Sequence, residues 1–211
     1  DSMGFLVIDE AFDEWRIKKC ENGYHTLFDD WAEKDLAAMV RRDRNHPCVI
    51  MWSIGNEILE QKDPEKGAET ARFLSRICKR EDPSRPTTAG FNFPEEAINN
   101  GLARSVDIPG WNYKSHLYFH YHARLPGKPT YGSETASCLS SRGIYHFPAE
   151  DQRSFPGRDL QISSYDLAGP GWAGSPDCEF RGVEENPFIM GEFAWTGFDY
   201  LGEPYPFQEK W

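Results

Sequence analysis

Two glutamates, Glu57 and Glu134, stand where a solvated surface glutamate would be out of place. Each closes an apolar run: residues 48–54 lead through Gly55-Asn56 into Glu57, and a run from 129 leads through Ser133 into Glu134. Two carboxyl groups at the ends of buried segments can cleave a glycosidic bond. One protonates the leaving oxygen while the other works from the opposite face of the sugar ring. In the retaining version the carboxyls lie about 5–5.5 Å apart and the second attacks the anomeric carbon. The neighbours suit this chemistry. Asn56 can bond the sugar 2-hydroxyl, where hydrogen bonds strengthen in the transition state. Tyr113 can donate to the Glu134 carboxylate and keep it ionised. Trp195 and Trp52 offer flat faces for a sugar ring. The spacing alone fits two structural glutamates equally well, so the elements that position them must decide.

Those elements alternate. Residues 5–8, 48–54, 87–91, 106–111, 129–132 and 188–194 read as short apolar strands. Residues 30–44, a stretch from Pro64 to Pro83, 95–102 and 115–123 read as helices between them. A βαβα order implies a parallel sheet covered on both faces. No GxGxxG follows the first strand, which weakens an open nucleotide-binding sheet. Polar residues end nearly every strand, as the active face of a (β/α)8 barrel requires. Six strands are two short of eight. The expectation is an incomplete TIM barrel over 1–211, lacking about two β/α units at its start and truncated in its last helix. The stretch 137–187, rich in Ser, Gly, Pro and aromatics, reads as one long loop walling the active-site face. A disordered insertion is the other reading.

Composition narrows the partners. The 211 residues carry a net charge of −11 and no basic run, which argues against nucleic acid and anionic membranes. No apolar run approaches the roughly 20 residues that span a bilayer. Five scattered cysteines without a CxxC fit neither a zinc site nor a disulfide framework. The chain opens at Asp1 with no initiator Met or signal peptide, so the native N-terminus is expected upstream. The compartment stays open between periplasmic or secreted and cytoplasmic.

Other polar residues have plainer readings. His116, His120 and His122 invite a metal, but no acidic or Cys partner is spaced to complete the set. His116 is better placed at the rim, touching sugar. Glu192 is a third carboxylate on a strand, read as structural. Asp9 supports the mouth and Glu10 contacts sugar, Asp199 anchors a loop, and Arg41, Arg42 and Arg44 pair with acids at a helix end.

The stretch 39–57, Met-Val-Arg-Arg-Asp-Arg-Asn-His-Pro-Cys-Val-Ile-Met-Trp-Ser-Ile-Gly-Asn-Glu, resembles the acid/base signature of glycoside hydrolase family 2, particularly its β-galactosidases. Asp9-Glu10-Ala11 and the 191–199 stretch Gly-Glu-Phe-Ala-Trp-Thr-Gly-Phe-Asp resemble it too, so the likeness covers most of 5–203. It implies a TIM barrel preceded by β-sandwich domains, which have no counterpart in these residues. It implies Glu57 as acid/base, Asn56 as its 2-hydroxyl-binding neighbour, Glu134 as nucleophile, Tyr113 as the nucleophile's tyrosine and Trp195 as the sugar platform.

Two stretches depart from the pattern. Some β-galactosidases of the family hold Mg²⁺ through Glu-x-His; here Glu14-Trp15-Arg16 lacks the His, so no cofactor is expected and Arg16 supplies charge instead. Thr135-Ala136-Ser137 follows the nucleophile where some members carry a sugar-contacting His. Recognition of the 4- and 6-hydroxyls then falls to Asp13, Trp15 or the long loop. The expected activity is exo-β-galactosidase, with a carbohydrate substrate and homo-oligomerisation of the full-length protein left open. β-Glucuronidase, β-mannosidase, an inactive fragment and a non-catalytic sugar-binding module are the alternatives.

Overall fold

A computed structural model of the chain describes residues 1–138, 145, 147–148, 166–167 and 169–197. Six strands form one sheet: β1 (Val7–Glu10), β2 (Val49–Asn56), β3 (Thr87–Phe91), β4 (Ile108–Asn112), β5 (Thr130–Ala136) and β6 (Ile189–Trp195). They lie in the order of the sequence and every neighbouring pair is parallel. A doubly wound sheet reverses strand order part-way along, and this one does not. Successive right-handed crossovers in one direction put every helix on the same face and curl the sheet. The result is an arc of a (β/α)8 barrel, as expected.

Between the strands lie α1 (Phe28–Asp43), α2 (Gly67–Glu81), α3 (Pro94–Asn99), α4 (Tyr118–Arg124) and α5 (Pro176–Glu184). The outer core is where these helices meet the sheet. Phe28, Leu36 and Val40 of α1 and Leu74, Ile77 and Cys78 of α2 are buried with Ile54, Phe91 and Trp111 from the strands. The inner face carries a smaller layer, in which Met51, Ile108 and Tyr131 pack together and Thr88 Oγ1 meets the Tyr131 hydroxyl at 3.0 Å.

Two readings change here. The long segment 137–187 is not all loop, because α5 lies within it. Its start signal was present: Ser175 precedes a proline at the first helical position, with Asp177 and Glu179 in the first turn. Most of the remaining loop, like Asp199, lies outside the described residues. Trp52, expected to stack on sugar, is wholly buried on the helix side of β2, where its Nε1 donates to Asp82 Oδ2 at 3.1 Å. Strand alternation turns it away from the barrel interior that Met51 and Ser53 face.

Candidate active site

The carboxyl ends of β2, β4 and β5 converge. Backbone bonds fix their approach: Glu57 N donates to Gly90 O at 2.9 Å, Asn56 N to Phe12 O at 2.8 Å, and Tyr113 N to Glu134 O at 2.8 Å. Just past or at these strand ends the chain enters the left-handed region at non-glycine residues: Glu57 (φ +50°), Tyr113 (φ +57°), Ala136 (φ +65°) and Ser137 (φ +62°). Each such residue costs about 1 kcal/mol or more and persists only where its surroundings impose it. Register shifts in β2 between Ser53 and Asn56, and in the β4–β5 pairing between Trp111 and Asn112, re-aim the side chains there.

One hydrogen-bonded cluster results. Asn56 Nδ2 donates to Glu134 Oε1 at 3.1 Å, and the Tyr113 hydroxyl to Glu134 Oε2 at 2.6 Å. Asn112 Nδ2 donates to Glu57 Oε1 at 2.9 Å and to Asn56 Oδ1 at 3.0 Å. Ser133 Oγ donates in turn to Asn112 Oδ1. Room for these amides comes from β3 and β4. A methyl on Gly90 would come within 2.6 Å of Asn56 Oδ1, and one on Gly110 within 2.5 Å of Ser133 Oγ. Asn112, Ser133, Gly90 and Gly110 escaped the sequence reading. Their only signal was polar or small residues at strand positions that a buried parallel sheet would fill with Val or Ile.

Burial pushes the Glu134 carboxyl above the ordinary glutamate range. The Glu57 and Glu10 charges push the same way, while the bonds from Tyr113 and Asn56 oppose them. Burial and the bond to Glu134 also raise Tyr113, so it remains a donor. Glu10, on β1, accepts from Ser53 Oγ at 2.6 Å, and burial of its carboxylate raises it too. Asp13 is exposed beside the mouth. Lys19, which the sequence reading missed, donates from Nζ to Asp13 Oδ1 at 3.0 Å and to Asn56 O at 3.3 Å. Trp195 ends β6 opposite Ala136, at the same end of the sheet, and is half-exposed.

Not every other expected site residue joins the cluster. Trp15 is completely buried, and its Nε1 donates to Ile54 O at 2.8 Å; it packs against Phe28 in the core and does not reach the mouth. His116 is exposed on the 3-10 turn after β4 and makes no hydrogen bond to the cluster among the described residues. The other two histidines are occupied: His120 Nε2 meets Glu95 Oε1 at 2.6 Å, and His122 stacks on Phe188. Glu192 turns to the outer face, toward Tyr118 and Glu179. Arg41 and Arg42 pair with Glu81 and Asp43, as read, whereas Arg44 donates to the backbone oxygen Glu81 O and not to a carboxylate.

The Glu14 stretch does not fit a divalent cation. Glu14 is buried, and its two oxygens already accept from Lys19 N, Cys20 N, His25 N and His25 Nδ1 at 2.5–3.0 Å. Against the upward push of burial, these donors bring its carboxyl down to about 2. Arg16 points to Asp29 and Thr70 and stacks on Phe28. Glu14 thus clamps the loop that carries Lys19. Glu14→Ala should lower stability by about 2–4 kcal/mol, since it strands buried N–H donors. Denaturant unfolding of both proteins checks this; an unchanged midpoint contradicts it. The ion form is the stabilising one. This contribution is therefore complete above the unfolded pKa and fades as pH falls toward about 2.

A singly wound parallel arc whose carboxyl edge gathers paired carboxylates is the architecture of a (β/α)8-barrel catalytic domain. The chain belongs to glycosyl hydrolase family 2: residues 1–123 match the model described as its TIM barrel domain. It is 36% identical to β-galactosidase BoGH2A of Bacteroides ovatus over 98% of this chain and 29% of that protein. It is 28% identical to a putative β-glucuronidase of Formosa agariphila over 96% of this chain and 20% of that protein. A β-glycosidase structure from Bacteroides vulgatus matches 95% of this chain and 28% of its own, at 29% identity and TM-score 0.76. The chain spans less than a third of the length of each of these relatives.

Proposed function

We propose that the full-length protein is a retaining exo-β-glycosidase acting on β-galactosides, with Glu134 as nucleophile and Glu57 as acid/base. The observation that carries this is the asymmetric bonding of the two carboxylates. Both Glu134 oxygens accept from neutral donors, which orient the carboxylate and offset part of the cost that burial puts on its ionised form. Glu57 is held through Oε1 only, leaving Oε2 without a partner among the described residues. In the first step Glu134 attacks the anomeric carbon, the glycosidic C–O bond breaks, and the Glu57 proton passes to the leaving oxygen. In the second, Glu57 takes a proton from water, the hydroxide oxygen bonds the anomeric carbon, and Glu134 leaves as carboxylate. Two inversions give net retention. Asn56 holds the 2-hydroxyl, Trp195 is the ring platform, and Glu10 and Asp13 bond outer hydroxyls. No resident metal or cofactor is invoked.

The sugar is neutral on this reading. Among the described residues the mouth gathers Glu10, Asp13, Glu57 and Glu134 against Lys19, whose ammonium is already taken by Asp13. A uronate would meet uncompensated negative charge. The likeness to a putative β-glucuronidase keeps that activity as the second reading. Initial rates on nitrophenyl β-galactoside, β-glucuronide and β-mannoside, with NMR of the first-formed anomer, separate them. The galactoside should be preferred and release β-galactose; preference for the glucuronide overturns the sugar assignment, and an α-anomer overturns retention.

The acid side of the pH profile follows from Glu134. Attack needs its carboxylate, so kcat/KM falls as pH drops through its raised pKa. Tyr113→Phe removes a donor that lowers that pKa, and the acid limb should move to higher pH. A limb that stays in place or moves down contradicts the assigned contact.

A further inference from the structure

The cluster contains a residue with no role in the scheme above. Asn112 is completely buried, and both its N–H groups and its carbonyl oxygen are engaged: two donated bonds, to Glu57 and Asn56, and one accepted bond, from Ser133. The polarity of this chain is forced. Glu57 Oε1 accepts whether the carboxyl is ionised or carries its proton on Oε2, so the Asn112 nitrogen must face Glu57 and its oxygen must face Ser133. That nitrogen then donates to Asn56 Oδ1, which fixes the Asn56 amide with its nitrogen toward Glu134. One Asn56 N–H serves Glu134, and the second has no partner among the described residues. Were Asn112 reversed or lost, Asn56 could rotate and offer an acceptor where the mechanism needs a donor.

We infer that Asn112, backed by Ser133, is a specificity-positioning residue: it sets the donor direction of Asn56 and so the demand for a sugar bearing a 2-hydroxyl. This rests on the proposed glycosidase reading. Asn112 touches no substrate. It sets the 2-hydroxyl contact through Asn56 and separately holds Glu57 Oε1, and Gly90 and Gly110 leave the space in which the two amides lie in contact across β3.

The test uses nitrophenyl β-galactoside and its 2-deoxy counterpart on the full-length protein. In wild type the ratio of kcat/KM values measures the worth of the 2-hydroxyl. Asn112→Ala should lower that ratio roughly tenfold or more, the loss of about one hydrogen bond to a polarised partner, while the lost contact to Glu57 slows both substrates alike and cancels in the ratio. Ser133→Ala, a smaller change that spares the strand, should shift the ratio in the same direction by less. Equal losses on both substrates in both variants reduce Asn112 to a structural residue and overturn the inference while the glycosidase reading stands. A wild type inactive on every glycoside overturns both.

Discussion

Glu134→Gln should lower kcat on nitrophenyl β-galactoside by on the order of 10⁴–10⁶-fold, the scale of losing a covalent nucleophile. The amide keeps the shape of the side chain and cannot attack carbon. Added azide should restore turnover by occupying the vacated space, giving a galactosyl azide of inverted (α) configuration. The loss will not be a folding defect. Burial and neighbouring carboxylates raise the Glu134 pKa, so its ionised form is disfavoured by the fold. A carboxyl with a raised folded pKa contributes stability below its unfolded pKa, and this is lost as pH rises through the folded value. At neutral pH a neutral amide removes that penalty, and the variant should melt no lower than wild type. Steady-state kinetics and a thermal scan on one preparation check both halves. A variant that keeps the wild-type rate, or loses activity only because it unfolds, contradicts the role assigned.

Glu57→Ala should cost on the order of 10²–10⁴-fold on galactosides with a poor leaving group, the usual worth of a positioned general acid. The size should depend on the substrate. A dinitrophenyl leaving group departs without a proton, so its first step should be nearly unaffected and glycosyl-enzyme should accumulate, because water then lacks its base. Azide needs no base; it should rescue this variant to a β-galactosyl azide, the opposite anomer to that from Glu134→Gln. A uniform loss across leaving groups would contradict proton donation by Glu57. The opposed stereochemistry matters because the side chains are linked through Asn56 and Asn112, and disturbing either could slow the reaction. Only the product configuration tells their roles apart.

The sequence announced the barrel through its alternation of apolar runs and helical periods. Sequential strand order then followed from short parallel crossovers, because nothing in the chain provides a reversal. Glu57, Glu134, Asn56 and Tyr113 were legible because strand ends of a barrel converge and their residue types match the chemistry. Asn112 and Ser133 were not, because an amide and a hydroxyl acquire meaning only when register shifts aim them at one another. Trp15 and Trp52 misled for a related reason. An aromatic near a motif is a platform or core filler according to which face of its strand or loop it occupies, and both turned inward to the helix layer. Lys19 was hidden because it reaches the mouth on a loop whose shape depends on the Glu14 clamp. No periodic pattern encodes that clamp.

The most direct test of the central claim is to trap the covalent intermediate. The full-length protein would be treated with an activated 2-deoxy-2-fluoro-β-galactoside, digested, and the labelled peptide sequenced by mass spectrometry. The account predicts stoichiometric inactivation with the fluorosugar esterified to Glu134. A label on Glu57, Glu10 or Glu192, or undiminished turnover with no label at all, would contradict it.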